Sequence, residues 1–213
     1  MRCLWLFLRC RRVVQSAVIV TVIAALIRLR SESTVVLPAL LGGNPVLLSE
    51  AFLYSPFLGV VIALALHSDM ASWERIAARP LWPYRLATLS TLVLATAGLF
   101  LLAVQGADLT PLDRQAALRA ILALAGTGSF TTTVLGSRFG WIPPLLLAIV
   151  TVGSYAFLHP GYQQPWWNLA LHTGSDARSW GLALLLFLAG AASHTTGVQR
   201  REYTSADEPG GFA

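Results

Sequence analysis

The chain has 213 residues, of which 55 % are apolar and 12 % charged; a soluble domain carries about 25 % charged residues, so there are too few here to cover a water-facing surface. The formal net charge is +5, from 15 basic and 10 acidic residues, and every basic residue is an arginine. With no lysine in the chain, a P-loop ATPase built on GxxxxGK, a Schiff-base enzyme and a kinase-type site are excluded, because each needs an ammonium group.

The first twelve residues, MRCLWLFLRCRR, mix Leu4, Trp5 and Leu8 with Arg2, Arg9 and Arg12. As a helix this stretch lies in the membrane interface before the chain turns inward. Cys3 and Cys10 are too far apart along such a helix for a disulfide and too few for a closed zinc site. They read as apolar filler.

Six apolar stretches follow: 13–29, 51–67, 86–104, 116–135, 141–158 and 179–195. A bilayer core takes about 20 apolar residues as a helix, with about 17 as the lower limit. A helix satisfies its own backbone in lipid, and the alternation of a membrane β-barrel is absent. The expected fold is an all-α polytopic membrane protein with six transmembrane helices. All seven tryptophans fall near segment ends, where indole prefers the headgroup level.

With the N-terminus inside, the inner segments hold Arg2, Arg9, Arg11, Arg12, Arg75, Arg79, Arg85, Arg138, Arg200 and Arg201. The outer side holds Arg28, Arg30, Arg114, Arg119 and Arg178. Positive charge favours the cytoplasmic side, so both termini are expected there. A cleaved signal peptide is the competing reading of the first span, but Arg28-Leu29-Arg30 follows it with no small-x-small site.

Between the spans, residues 30–50 form an apolar outer connection broken by Pro38, Gly42, Gly43, Asn44 and Pro45, expected to dip into or hug the outer membrane face. Residues 105–115 form a short outer loop, and Gly-Ser-Arg-Phe-Gly at 136–140 a tight inner turn whose glycines permit positive φ. Pro143 and Pro144 fit the first turn of the fifth helix. Residues 159–178 form a second outer segment, and the tail 196–213 is expected to be disordered.

The longest inner loop reads His67-Ser68-Asp69-Met70-Ala71-Ser72-Trp73-Glu74-Arg75-Ile76-Ala77-Ala78-Arg79-Pro80-Leu81-Trp82-Pro83-Tyr84-Arg85. Asp69 can cap a short helix and Pro80 ends it. Trp73, Ile76 and Ala77 share one face, so the helix lies along the inner membrane surface. The plain reading is a solvated connector carrying positive-inside arginines.

This layout resembles the transmembrane subunit of an ABC-2-type ABC exporter. In that family an inner loop before the third span carries a glutamate, an apolar turn, then a proline and a basic residue; the matching positions are Glu74, Arg75, Arg79, Pro80 and Arg85. The resemblance implies a cytoplasmic coupling helix over 69–79, with Asp69, Ser72, Trp73, Glu74, Arg75 and Arg79 docking on a separate ABC ATPase subunit. It implies that ATP and Mg²⁺ are bound by that subunit and that this chain holds no cofactor. It further implies pairing with a second permease copy or a paralogue, an interfacial elbow helix at 1–12, and a multi-pass place in a bacterial cell (plasma) membrane. No nucleic-acid partner is expected.

Several residues carry a sharper reading beside a bland one. Glu50 stands at the outer start of the second span, where it is either a helix N-terminal carboxylate or a substrate contact. Ser129, Thr131 and Thr132 give the fourth helix a hydroxylated face, for helix packing or for a substrate pathway. Gly126, Gly128 and the Ala189-Ser193-Gly197 spacing read as close helix packing. Ser129 with His194 in Ala192-Ser193-His194-Thr195-Thr196-Gly197 resembles an intramembrane serine protease of the rhomboid type. Against that, Gly126-Thr127-Gly128-Ser129-Phe130 lacks the family's GxSG, and the two residues are expected at different depths. His67, His159, His172 and His194 are scattered, and no metal site is expected. A non-catalytic membrane partner or immunity protein with no ATPase is the alternative function.

Overall fold

The structure is a computed structural model, and it describes residues 13–30, 33–37, 46–66, 82–105, 107, 109–136, 139–154, 169 and 176–196. Most of these are helical. In chain order the elements are α1 (Val13–Leu29), β1 (Thr34–Leu37), β2 (Val46–Ser49), α2 (Glu50–Ala65), α3 (Trp82–Ala103), α4 (Pro111–Val134), α5 (Ile142–Gly153) and α6 (Ala177–Thr196).

Each of the six helices overlaps one predicted apolar stretch, and α1 has the predicted bounds. The others shift at their ends for local reasons. α4 begins at Pro111 rather than 116 because Thr110 builds a capping box. Its Oγ1 accepts from Asp113 N–H at 3.2 Å, and the Thr110 N–H donates back to Asp113 Oδ2 at 3.1 Å. Proline follows at the first helical position, where its missing N–H costs nothing. Thr110→Ala is expected to cost about 1 kcal/mol, measurable as a lower thermal midpoint by circular dichroism in detergent. α5 carries Pro143 and Pro144 in its first turn, as the sequence suggests, and Gly136 in the turn before it has φ 82°.

The connection after α1 has structure that hydropathy alone does not reveal. Its described residues form an antiparallel strand pair, with Thr34 opposite Ser49 and Leu37 opposite Val46. Val35 and Val36 supply the β-branched side chains that favour a pleat. The Glu50 N–H donates to the Ser33 carbonyl at 3.1 Å, so the ladder runs straight into the first turn of α2.

Contacts fix the helix directions. Along α4 and α6, Arg119 meets Ser179 and Gly126 meets Leu186 and Phe187, so the two run parallel. Along α2 and α4, Gly59 meets Leu124 and Gly128 meets Ala63, again parallel. α5 runs against them, with Pro144 near Gly128 and Ala148 clustered with Leu124 and Val60. Arg28, at the end of α1, reaches the Gln105 carbonyl just past α3, while Arg85, at the start of α3, reaches the end of α6. Thus α1, α3 and α5 point one way and α2, α4 and α6 the other.

The core lies between these helices. Ile27, Leu58, Ile62, Leu89, Phe100, Ala117, Ile121 and Ala125 form one buried cluster spanning α1 to α4. α4 is the central helix, and most of its residues from Ala116 to Thr133 are buried. The outer surface is apolar: Leu94 is 72 % exposed, Val150 60 %, Leu185 61 % and Leu188 63 %. One described helix, α3, is long and apolar enough to cross a membrane by length and composition. At 22 residues it spans about 33 Å.

Candidate functional site

The predicted coupling residues Asp69, Ser72, Trp73, Glu74, Arg75 and Arg79 lie outside the described residues, as do the elbow 1–12, the tail 196–213 apart from Thr196, and most of the segment 159–178. The described part of the candidate site is the interior around α4.

The tightest feature is the crossing of α4 and α6. A Cβ on Gly190 would stand 2.9 Å from Gly126 Cα and 2.8 Å from its carbonyl carbon. A Cβ on Gly126 would lie 2.5 Å from the Leu186 carbonyl oxygen. The helices therefore meet backbone to backbone, as small residues allow. Gly126 carries this contact on α4 and its partner on α6 is Gly190; Ala189, read from its spacing as a packing position, is exposed. A second approach joins α2 to α4, where a Cβ on Gly59 would lie 2.6 Å from Leu124 Cβ.

The hydroxyls of the predicted pathway turn back onto their own helix. Ser129 Oγ donates to the Ala125 carbonyl at 2.8 Å, and Thr132 Oγ1 to the Ser129 carbonyl at 2.9 Å. Thr131 Oγ1 lies 2.9 Å from the Thr127 carbonyl and also meets the Gly140 carbonyl in the turn before α5. Ser129 and Thr132 are buried, Thr131 half-buried. Back-bonding of this kind satisfies a hydroxyl where no water reaches it. Ser129 and Thr132, three positions apart, lie on one side of α4, and Thr131 and Thr132 are placed against the turn at Gly140.

The level of Ser129 relative to His194 needs correcting. Because α4 and α6 run parallel from the Gly126–Gly190 contact, Ser129 lies three residues past the crossing and His194 four. The two stand at nearly the same level, about 4.5 and 6 Å beyond it. The Ser129 O–H nonetheless points along its own helix to Ala125.

Glu50 opens α2, and its carboxylate lies 3.6 Å from Arg30 Nη1; the Glu50 side chain is 15 % exposed and Arg30's 61 %. A carboxylate in a first turn gains from the helix dipole. The placement brings Glu50 beside the hairpin and away from Ser129, Thr131 and Thr132, which sit at the opposite end of the bundle.

Sequence reasoning missed the most deeply placed charge. By sequence Arg119 counts with the outer side, inside the 116–135 stretch; the structure buries it fully on α4. Its Nε donates to the Leu169 carbonyl at 2.9 Å and its Nη1 to Ser179 Oγ at 2.9 Å. The Ser179 hydroxyl in turn donates its O–H to the Asp176 carbonyl at 2.8 Å. Asp176 also caps α6, accepting the Arg178 N–H on Oδ1 at 3.0 Å, and its charge acts on Arg119. A buried guanidinium needs such a set of acceptors, because an unpaired buried charge is costly. The available signal was its spacing: Arg119 falls two turns inside α4 once the helix starts at Pro111.

Among the described residues no group of His, Cys, Asp and Glu is placed to hold a metal ion. Comparisons with protein-family models, with curated proteins and with solved structures found no match.

Proposed function

We propose that this chain is a six-span protein of the cell membrane that serves as the permease subunit of an ATP-driven ABC exporter. The observation that carries the membrane part is the polarity of the bundle. Its lipid-side candidates, among them Val18, Leu94, Val150, Leu185 and Leu188, are exposed and apolar. Its interior is mostly apolar and also holds Ser55, Thr96, Arg119, Ser129, Thr132 and Ser179. A water-soluble bundle does not leave so many large apolar side chains on its outer face. Six helices of alternating direction fit six passages with both termini on one side.

The permease part is supported by the sequence of the 69–79 stretch and by the lack of any lysine for a phosphate site of its own. The ATP and Mg²⁺ then belong to a separate ATPase chain. The backbone contact of Gly126 with Gly190 closes the seam between α4 and α6, and the permease reading accordingly takes its substrate path between this chain and a second permease copy. The second reading is a membrane partner or immunity protein that works without an ATPase.

Purification in mild detergent from cells expressing the adjacent reading frames separates the two readings. The permease reading expects a nucleotide-binding chain to co-purify, and Glu74→Ala with Arg79→Ala to lower its recovery at least about tenfold, since a docking cluster concentrates binding energy in a few residues. Recovery of the chain without any ATPase, with cellular activity intact in a strain lacking one, supports the second reading instead.

A further inference from the structure

Two buried polar atoms at the end of the bundle where α2 and α4 begin make no hydrogen bond among the described residues: Ser49 Oγ and Arg114 Nε. Ser49 precedes α2 in the capping position, yet its side chain makes no cap bond. Arg114 lies in the first turn of α4. The carboxylates nearest in sequence are engaged elsewhere: Asp113 accepts from the Thr110 N–H and hydroxyl, and Glu50 lies beside Arg30. A buried donor without an acceptor is costly, so each such atom calls for a partner.

The packing of α2 on α4 brings the two together. Gly59 meets Leu124, and Ala63 meets Gly128. Ser49 stands ten positions before Gly59, and Arg114 ten before Leu124. Both therefore lie about 15 Å from that contact, level with one another. They also follow its seam. Ser49, Pro56 and Ala63 recur at seven residues, close to two helical turns, as do Arg114, Ile121 and Gly128. Just inside them, Ala51 and Ala117 belong to one buried cluster.

A guanidinium and a hydroxyl on one seam offer a positive charge and two donors. The first turns of α2 and α4 beside them are the positive ends of two parallel helix dipoles. The group that fits is a small oxyanion. Phosphate suits it best, because a guanidinium pairs with its oxygens as a fork. The end of the bundle is also the headgroup level in the six-span reading, and Leu29 and Leu112 are exposed there.

We propose that Ser49 and Arg114 form a phosphate-binding site on the α2–α4 seam, taking the phosphate of a phospholipid headgroup or the free ion. The site needs no ATPase, so it stands or falls apart from the permease reading.

The test uses the full chain, purified in a mild detergent free of phosphorus. Inorganic phosphate and dihexanoyl phosphatidylglycerol are titrated separately, and saturable binding is read by phosphorus-31 NMR. Wild type is expected to bind at least one of them. Saturation by phosphate alone assigns the free ion; saturation by the lipid, with or without phosphate, assigns a headgroup. Arg114→Gln is expected to raise the apparent Kd at least about tenfold and Ser49→Ala about threefold, since the charged bonds are the stronger. Arg178→Gln removes an exposed arginine from the same end, on α6, and is expected to stay within about twofold. Ser49→Ala deletes one atom and carries the test alone if Arg114→Gln does not give the wild-type circular dichroism. The proposal is overturned if neither probe saturates, if a folded Arg114→Gln or Ser49→Ala binds as wild type does, or if Arg178→Gln weakens binding as much as Arg114→Gln.

Discussion

Gly190→Ala is expected to lower the thermal midpoint more than any other single-methyl change in the described bundle. The added carbon would stand 2.9 Å from Gly126 Cα, on a helix whose own backbone occupies the space. No rotamer change can relieve that contact. The crossing must widen, and every layer between α4 and α6 widens with it. Overpacking a filled site costs about 1–3 kcal/mol, and a backbone partner puts this case at the upper end. For a chain of this size about 3 kcal/mol corresponds to a fall of about 6–12 °C. Gly98→Ala is the matched control: a Cβ there meets nothing within 4 Å. It is expected to be neutral or to raise stability by up to about 1 kcal/mol, because alanine is the better helix former. Both variants are read by circular dichroism or fluorescence melts in one detergent. Equal melting of the two variants would show that α4 and α6 do not touch at Gly190.

Arg119→Ala carries the second large effect. The substitution removes two charged hydrogen bonds at 2.9 Å and leaves the Leu169 carbonyl and the Ser179 hydroxyl without their donor. Bonds to a charged group contribute about 1.5–3 kcal/mol each, and a buried acceptor left bare adds its desolvation cost. A loss of about 3–5 kcal/mol is expected, the range found when a buried pair is broken. Ser179→Ala removes one partner only and should cost about 1.5–3 kcal/mol. Because both changes break one network, the double variant should melt well above the sum of the two losses. Arg119→Lys should behave closer to alanine than to arginine, since one ammonium cannot replace the guanidinium's spread of donors. Additive losses would mean that Arg119 and Ser179 do not share the contact.

The helices were legible because long apolar runs between arginines and prolines leave little choice of element. α1 is the clearest case, framed by Arg12 and Arg30, and its bounds were read correctly. Boundaries failed where capping rather than apolarity sets the start. Thr110-Pro111-Leu112-Asp113 is polar, so a hydropathy reading discards it, although its spacing is that of a capping box. The hairpin was hidden for a related reason: Val35, Val36 and Leu37 are as apolar as a helical span, and short runs do not reveal their period. Gly126 was read as a packing residue from its type alone. Its partner was not, because a small-residue spacing of four fits several faces of α6, and only the crossing angle chooses Gly190 over Ala189. Charge counting places Arg119 with the outer side and within the fourth stretch, but says nothing of its burial or partners. A buried arginine is invisible until the groups that surround it are known, and Ser179 is sixty positions away in sequence.

The central place of α4 has a consequence for how the protein is made. On the faces that the finished bundle buries, this helix carries glycine, serine, threonine and a guanidinium rather than leucine alone. Until the last segment leaves the ribosome, neither Ser179 nor Gly190 exists to receive it. Under the proposed six-span reading, the insertion machinery shelters the fourth segment through the synthesis of some sixty further residues, and a nascent chain halted before α6 is expected to be handed to membrane proteases rather than released into the bilayer.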